Sequence, residues 1–512
     1  MDNLDGLRKK VRSAFKLSGF IVRSEVCEFL AEQLLPLDGA EQEKWLDIIL
    51  KNIQNQRLET ANLEKKHIEN AINEYNRIGL DDGEAIFTVI NAFEVPKFTY
   101  NKQRKKFELD TEPKSLLPGA EKKAKYMAER YEVLHQKTVR HELFSPPIEG
   151  TTSEIQKFKL HYVENLLCNS EIEEVIVLGL LTQLKEGKFY IEDPTGSVPL
   201  DLSKARFHAG FFCEGCFVLA EGKYDDGCLK VNALGFPPAE PASSSRAAFG
   251  IENTWGGPSK KLLKNSQRLL EVERENKEAF IIFLSDVCLD NPLVMDKMKK
   301  LFVGYDTNPP TAIVLMGPFS CCDGDLHNLK QLFTNLGDMA NDCNNLKAET
   351  DLILVPAGED PAAPNILPRV PLPKYLTDEL VKKWPRTKLA TNPCRLQYCT
   401  QEIVVCRVDL VTKFCRNTIH FPETNQLKDD FARTLICQGT LAPIHSIALP
   451  IFWDYDAALS LYPLPDLVVV GDPNHPFNTT QHGCTILNTG SFIKTKFSFK
   501  MYEPSTRTIE TF

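Results

Sequence analysis

The residues of this chain that are best suited to chemistry follow a series of short apolar runs in its second half. Buried-strand patterns at 279–285, 311–316, 351–355 and 466–470 are each bounded by polar or glycine residues. In an open α/β sheet, ligands bind beyond the carboxyl ends of the strands. Taken in order, we assign these ends to Ser285-Asp286-Val287-Cys288, Gly317-Pro318, Ala357-Gly358-Glu359-Asp360, Thr391-Asn392-Pro393 and Gly439-Thr440-Leu441-Ala442.

This order of groups resembles the calcineurin-like metallophosphoesterases, whose strand ends read D-x-H, G-D, G-N-H-[D/E], a single histidine and G-H-x-H. The resemblance implies two metal ions that clamp and activate a phosphate ester. Asp286 is kept, but the other positions have lost the residue type that the chemistry needs: Cys288, Pro318, Gly358-Glu359, Thr440 and Ala442. We therefore predict no catalytic, no cofactor-binding and no metal-ligating residues, and no cofactor.

A second candidate for metal chemistry is the pair Cys213-x-x-Cys216, with Cys228 further along the chain. A structural zinc site usually needs four ligands, often from two such pairs. No second pair follows, and the apolar flanks predict a buried strand, so we interpret these cysteines as packed thiols, with zinc as the alternative.

The N-terminus lacks a signal-peptide pattern and no apolar run is long enough to span a bilayer. We expect an intracellular chain whose fifteen cysteines are reduced.

The elements that must position these groups divide into several predicted domains, and the length of 512 residues favours about three. Residues 1–75 have apolar positions at three- and four-residue spacing, which predicts an all-α module.

Residues 76–150 are predicted to be a basic linker with one helix near 121–137. Within it, residues 97–140 hold twelve basic and six acidic side chains, including the run Lys102–Lys106. We interpret that run as solvated, with a nuclear-import or DNA-proximal role as the alternative.

Residues 151–245 are predicted to form a five-stranded barrel of the OB type, because short strands alternate with tight turns between 171 and 240. That stretch carries six basic and twelve acidic side chains. A single-strand binder needs a positive groove with stacking aromatic side chains, so we predict that the barrel docks a protein. Single-strand binding is the alternative. Residues 246–512 follow an α/β pattern, and the net charge of the whole chain is −9.

A barrel joined to a phosphoesterase-like domain without its ligands resembles the B subunits of the replicative DNA polymerases. The helical N-terminus is typical of the epsilon branch of that family. The segments that carry the resemblance lie in one order along almost the whole chain: 13–19, 141–147, 182–189, 192–196, 216–222, 283–287, 391–403 and 490–492. Members of the family keep a histidine where this chain has Thr440, which favours loss of catalysis.

The resemblance implies a multi-domain fold with an N-terminal all-α module similar to the lid of AAA+ ATPases, an OB barrel and a catalytically degenerate calcineurin-like phosphoesterase domain. It also implies a nuclear, non-catalytic polymerase subunit with several partners. The barrel and the phosphoesterase-like domain would bind the cysteine-rich C-terminal domain of the catalytic subunit, and residues 1–75 would bind the replicative helicase. Small histone-fold subunits would complete the complex, and DNA contact would be indirect or weak. The rival class is a metal-dependent nuclease or phosphatase.

Overall fold

The structure is a computed structural model of the 512-residue chain. It describes residues 2–18, 20–22, 24–34, 46, 50, 53, 62–63, 85–145, 157–259, 261–321, 326–361, 363–422 and 426–512. The chain divides into two compact units, Met1–Glu84 and Ala85–Phe512. No helix in the described part of the chain has both the length and the apolar character needed to cross a membrane.

The described part of the first unit contains two amphipathic helices that bury one apolar face each. Its described elements are α1 (Asp2–Leu17), β1 (Ile21–Val22), α2 (Ser24–Leu34) and β2 (Asn62–Leu63), and β1 pairs with β2 in parallel. Val11 and Phe15 of α1 are fully buried against Val26 and Leu30 of α2, as a spacing of three and four residues requires. Much of 35–75, over which the all-α prediction also extends, lies outside the described residues.

Residues 85–145 are folded into the second unit, so the interpretation of 76–150 as a basic linker is wrong for its described part. The elements here are β3 (Phe87–Asn91), a 3₁₀ turn (Ala92–Glu94), β4 (Phe98–Asn101), β5 (Lys106–Leu109) and α3 (Glu121–Arg140). The predicted helix is present. The physical reason for the error is that the charged side chains lie on the surface while aromatic ones pack inward: Phe107 stacks on Phe249 at 4.1 Å between ring centroids.

The predicted five strands of the barrel are all present. Its elements are β6 (Leu160–His161), α4 (Val163–Leu167), β7 (Glu171–Lys185), β8 (Lys188–Asp193), β9 (Gly196–Asp201), β10 (Arg206–Phe207), β11 (Phe217–Asp225) and β12 (Cys228–Gly235). The strand order is β10-β12-β11-β7-β8-β9, and an additional pairing of β12 with β9 closes the sheet. On β7, the inward positions Val175 and Val177 alternate with exposed or half-buried ones, as the two-residue period of a strand requires.

Two six-stranded sheets form the rest of the second unit. The first has the order β16-β15-β14-β13-β22-β23 and the second β20-β21-β19-β18-β17-β3. Their strands are β13 (Ile281–Ser285), β14 (Ala312–Met316), β15 (Asp351–Val355), β16 (Thr387–Leu389), β17 (Cys394–Tyr398), β18 (Gln401–Cys406), β19 (Leu467–Val470), β20 (Phe477–Gln481), β21 (Cys484–Asn488), β22 (Lys500–Glu503) and β23 (Thr508–Thr511). β21 lies inside its sheet, between β20 and β19.

The sheets pack face to face, with helices on their outer faces. Phe283 of β13 and Val405 of β18 share the core between the sheets, whereas the neighbouring Ile282 packs under the helices of the first sheet. The helices are α5 (Ala242–Arg246), α6 (Gln267–Glu275), α7 (Pro292–Tyr305), α8 (Leu326–Met339), α9 (Asn344–Glu349), α10 (Lys374–Lys383), α11 (Leu410–Asn417) and α12 (Leu427–Gln438), with 3₁₀ turns at Leu263–Asn265 and Trp453–Leu459. This layering is the arrangement that the phosphoesterase resemblance implies.

The barrel and the second sheet share one hydrophobic core. Barrel residues such as Phe211 and Phe212 pack with Phe414 of α11 in the same cluster. The side chain of Gln438, at the end of α12, accepts a hydrogen bond from the backbone N–H of Phe217 at 2.8 Å and donates one to its carbonyl at 2.7 Å. The start of β11 is therefore held to the two-sheet domain by buried contacts.

Candidate functional site

The candidate site lies where the strands of the two sheets end. In the first sheet, Ser285, Met316 and Val355 are register partners at the carboxyl ends of β13, β14 and β15. The loops that begin with Asp286, Gly317 and 356–360 therefore start side by side, as predicted. From the second sheet, β18 ends at Cys406 and the parallel β19 ends at Val470, which brings Arg407 and Gly471-Asp472 to the equivalent positions.

One of the predicted strand ends is placed differently. Thr391-Asn392-Pro393 follows β16, as predicted, and precedes β17, whereas Gly439 caps α12 in the left-handed conformation with φ 63°. Thr440 accepts a hydrogen bond from Arg130 Nη2 at 3.2 Å, away from the strand ends. The assignment of Gly439–Ala442 as a strand end is wrong because α12 is a helix. Sequence reasoning missed Arg407 and Asp472, although the apolar runs before them were a usable signal.

Arg407 is the central side chain of the site. Its Nη2 donates to Asp286 Oδ1 at 2.7 Å, its Nη1 to Asp409 Oδ1 at 2.6 Å, and its Nε to the Gly317 carbonyl at 2.7 Å. The Arg407 side chain is only 5% exposed. Burial lowers the pKa of Arg407, but the carboxylates of Asp286 and Asp409 outweigh it and the pKa is raised. A permanent cation therefore lies among the carboxylates.

The backbone of Arg407 is fixed by Asn392, which lies after the end of β16. Asn392 Nδ2 donates to the Arg407 carbonyl at 2.7 Å, and the Arg407 N–H donates to Asn392 Oδ1 at 3.0 Å. Asn392 is 1% exposed. Both polar groups of its amide are thus used inside the protein, and Asn392 serves to hold Arg407.

The remaining buried carboxylates bind backbone groups of the loops. Asp360 accepts hydrogen bonds from the N–H groups of Phe319 at 2.8 Å and Ala357 at 2.7 Å. Asp472 accepts one from the Val411 N–H at 2.8 Å. Burial raises the pKa of both carboxyl groups. These contacts order the loops and use the acceptor atoms that a metal ion would need.

The donor set does not fit a two-metal centre. Pro318 offers no ligand atom, Asp286 is bound to Arg407, and Asp360 is occupied by backbone donors. Two-metal hydrolysis needs carboxylates and imidazoles that converge on two cations about 3.5–4 Å apart. A guanidinium neutralises carboxylates but has no exchangeable coordination position for water.

The cysteines differ in part from the sequence-based prediction. Cys213 and Cys216 are fully buried, and their Sγ atoms approach the Phe414 carbonyl at 3.8 Å and the Pro443 carbonyl at 2.9 Å. A hydrogen bond with Cys216, together with burial, raises the pKa of the Cys213 thiol, which opposes metal binding.

A disulfide joins Cys288 to Cys321, so the prediction of reduced cysteines is wrong for this pair. The two residues are 33 apart in sequence. They meet because β13 and β14, which precede them, are paired strands.

The barrel presents an acidic exterior. Glu174, Glu186 and Asp226 are exposed on its strands and turns, and the stretch 171–240 has six more acidic than basic side chains. Phe189 and Tyr190 are half-buried neighbours on β8, so they point to opposite sides of the strand. Neither the acidic excess nor the placement of these two aromatic side chains matches the positive groove with aligned aromatic side chains that a single-strand binder uses.

Three family models match the chain. The model of the B subunits of DNA polymerases alpha and epsilon matches residues 281–479, "DNA polymerase epsilon subunit 2-like, OB-fold domain" matches residues 120–238, and "DNA polymerases epsilon N terminal" matches residues 3–75. They follow one another along the chain in the order of the helical module, the barrel and the two-sheet domain.

Curated relatives match the chain over almost its full length. It is 62% identical to DNA polymerase epsilon subunit 2 of Drosophila melanogaster, over 98% of this chain and 97% of that protein. It is 43% identical to DNA polymerase epsilon subunit 2 of Homo sapiens, over 98% of each. A solved archaeal phosphodiesterase is 10% identical with a TM-score of 0.26, covering 46% of this chain and 98% of that one. A likeness that small establishes nothing about this chain.

Proposed function

The chain belongs to the DNA polymerase epsilon subunit 2 family, and we propose that it acts as a non-catalytic scaffold of that polymerase. The observation that carries the proposal is the buried guanidinium of Arg407 between Asp286 and Asp409. A cation that is part of the chain binds the carboxylates there, and it cannot activate water as a metal ion does. The surviving strand-end groups stabilise the fold and supply no hydrolytic chemistry.

The test is hydrolysis of a generic phosphodiester, bis(p-nitrophenyl) phosphate, by the purified full-length chain with and without Mn²⁺. We expect no rate above that of the Asp286→Asn variant, and no stoichiometric Mn²⁺ binding. Asp286→Asn keeps the shape of the side chain, and its thermal unfolding checks that it is folded. Mn²⁺-dependent hydrolysis that disappears in folded Asp286→Asn would contradict the proposal and favour a metal-dependent nuclease or phosphatase.

We further propose that the barrel and the two-sheet domain together bind the cysteine-rich C-terminal domain of the catalytic subunit. Their shared core and the Gln438–Phe217 contacts support a preassembled surface, because a rigid scaffold loses little conformational entropy on binding. The acidic exterior of the barrel supports a partner with basic side chains on the contacting face. DNA contact by the barrel itself would be indirect or weak.

Charge reversal on the barrel tests this docking without opening the shared core. The triple variant Glu174→Lys, Glu186→Lys, Asp226→Lys changes three exposed carboxylates. Co-purification with the catalytic subunit's C-terminal domain should fall at least tenfold at low salt. The matched control reverses three exposed carboxylates of the two-sheet domain, Glu275, Glu349 and Asp378. Equal loss in both variants would contradict a specific contribution of the acidic barrel face to binding.

For the first unit we propose a fold similar to the AAA+ lid and binding to the replicative helicase. Met1–Glu84 forms a compact unit of its own, which supports an independently acting module. Two tethered binding sites hold a complex more strongly than either site separately. Deleting residues 1–75 from the full chain should abolish helicase pull-down and leave binding to the catalytic subunit intact; helicase binding that survives the deletion would refute this part.

We also propose that the chain lies in the nucleus and that small histone-fold subunits are additional members of the same polymerase complex. Family membership supports both, and no surface of the chain is assigned to the histone-fold subunits. Imaging of the tagged full-length chain and mass spectrometry of the complex purified through that tag test them; a cytoplasmic signal, or a complex without histone-fold proteins, would contradict them.

A further inference from the structure

We propose that Cys288, Asp290 and Cys321 form a zinc-binding site when the two cysteines are reduced. Their ligand atoms all lie within 4.8 Å of one another. Within the described ranges, no other group of three His, Cys, Asp or Glu residues meets that condition. The proposal departs from the sequence-based prediction of no metal ligands, and it is independent of the proposed scaffold function.

The fold brings the two sulfur atoms together through paired strands. β13 and β14 are parallel neighbours, and the loops that follow them carry Cys288 and Cys321. The Leu289 N–H donates to the Phe319 carbonyl at 2.8 Å, which ties the two loops to each other between the cysteines. The Cα atoms of Cys288 and Cys321 are 5.8 Å apart.

The carboxylate is fixed by the same loops. Asp290 Oδ2 accepts a hydrogen bond from Ser320 Oγ at 2.9 Å and one from the Cys321 N–H at 2.7 Å. Neither bond involves a sulfur atom, and the tie between Leu289 and Phe319 does not either. The loops that carry the three residues are therefore joined by hydrogen bonds that do not depend on the S–S bond. Donors that orient a carboxylate in this way are typical of the surroundings of metal ligands.

The chemistry of the donor set favours zinc. Two thiolates and a carboxylate are a ligand set for Zn²⁺, whereas Mg²⁺ and Ca²⁺ prefer oxygen ligands only. Three protein ligands leave the fourth tetrahedral position to water. Cys288 is buried, Asp290 half-buried and Cys321 exposed, so an ion can enter from the side of Cys321.

Reduction must precede binding, and the two states exclude each other. A dithiol reductant supplies two electrons and two protons; the S–S bond breaks, Cys288 and Cys321 become thiols, and the reductant becomes a disulfide. Zn²⁺ then forms two Zn–S bonds and one Zn–O bond, and the two thiol protons leave to solvent. In the disulfide state the sulfur atoms are not thiolates and do not bind the ion.

Cys288 lies in the same strand-end segment as Asp286, but the two side chains are used differently. Asp286 directs its carboxylate to Arg407, and that contact involves neither cysteine. The proposed site also differs from the pair that the sequence singled out, since Cys213 and Cys216 are buried against backbone carbonyls.

The test is titration of the reduced full-length chain with Co²⁺, a spectroscopic substitute for Zn²⁺, followed by displacement with Zn²⁺. We expect one equivalent of Co²⁺, a sulfur-to-cobalt charge-transfer band and tetrahedral d–d bands, all removed by Zn²⁺. Cys288→Ser and Cys321→Ser should abolish the charge-transfer band of this site, and Asp290→Asn should weaken binding at least tenfold. Cys168→Ser, at an exposed free thiol elsewhere, is the matched control and should change nothing.

Three results would overturn the proposal. One is reduced protein that shows no thiolate–cobalt band. Another is a band that persists in the Cys288→Ser/Cys321→Ser double variant. The third is a disulfide that resists excess reductant in the folded chain, detected by counting alkylated cysteines by mass. Asp290→Asn keeps both thiols and its shape, so it remains informative if a buried Cys288→Ser variant fails to fold.

Discussion

Replacing Arg407 by methionine should destabilise the two-sheet domain more than any loss of surface charge would. The substitution keeps much of the side-chain volume and removes the guanidinium. Asp286, which is 8% exposed, then loses the cation that it faces at 2.7 Å. The Gly317 carbonyl also loses its donor at 2.7 Å.

The magnitude follows from burial. Breaking a buried ion pair by removing one partner costs about 3–5 kcal/mol, because a charge remains buried without compensation. Asp409 is more exposed, at 39% of its side chain, and water replaces most of what it loses. We therefore expect Arg407→Met to lower the free energy of unfolding by about 3 kcal/mol, with nearly all of that arising from Asp286.

The double variant Asp286→Asn/Arg407→Met isolates the pair. It removes both charges, so the uncompensated carboxylate is absent and the loss should be smaller than the sum of the single losses by about 1–3 kcal/mol. The assay is denaturant unfolding followed by tryptophan fluorescence. Three of the four tryptophans, Trp255, Trp384 and Trp453, belong to the second unit, so the signal reports mainly on it.

The matched control is Arg416→Met, at an exposed arginine of the same domain. Surface substitutions of this kind usually change stability by less than about 0.5 kcal/mol. If Arg407→Met costs no more than Arg416→Met, or if the double-variant losses simply add, then the guanidinium is not the counter-ion that we infer and the reasoning fails.

Three further predictions use the same unfolding assay. Gln438→Ala should cost about 2–4 kcal/mol, because both buried backbone groups of Phe217 lose their partner; a cost below about 1 kcal/mol would contradict the contact. The buried Lys137 has its pKa lowered by burial to about 8, so its proton is bound more tightly in the unfolded chain. The free energy of unfolding of the wild type, relative to that of Lys137→Met, should therefore rise between about pH 8 and 10 by roughly 1.4 kcal/mol per pH unit. A difference that does not change with pH would refute this prediction. The third prediction compares two glycines with positive φ. At Gly215, φ is +95° and an added Cβ would lie 2.6 Å from a backbone nitrogen, whereas at Gly227 φ is +75° and an added Cβ would meet open space. Gly215→Ala should therefore lower the free energy of unfolding by about 2 kcal/mol more than Gly227→Ala does; equal losses would argue against close packing at Gly215.

The strands of the barrel and the helices of the first unit followed from the sequence because their signals are local. Val11 and Phe15 are spaced for one helix face, and the turn at 225–227 separates two alternating runs. Both patterns depend on neighbours within a few residues. The same holds for the segments that carry the family resemblance, which are continuous stretches of chain.

The basic segment shows where local signals misled. The charges at 102–106 favoured a solvated linker, and those side chains do lie at the tip of the β4–β5 hairpin. The pairing of Val89 with Leu396 on β17 joins residues about 300 positions apart, and a single sequence carries no record of it. Charge on one face of an element says little about what the other face covers.

At the candidate site, the sequence by itself determined that the strand end at Gly317-Pro318 lacks a metal ligand, because the Pro318 side chain offers no ligand atom in any fold. Only the tertiary structure decided which side chains contact Asp286 and Cys288. Arg407 reaches Asp286 because two sheets pack face to face, and Cys288 meets Cys321 because β13 and β14 are paired. Residue type limits the chemistry a position can perform, whereas strand pairing and packing decide which distant residues become neighbours.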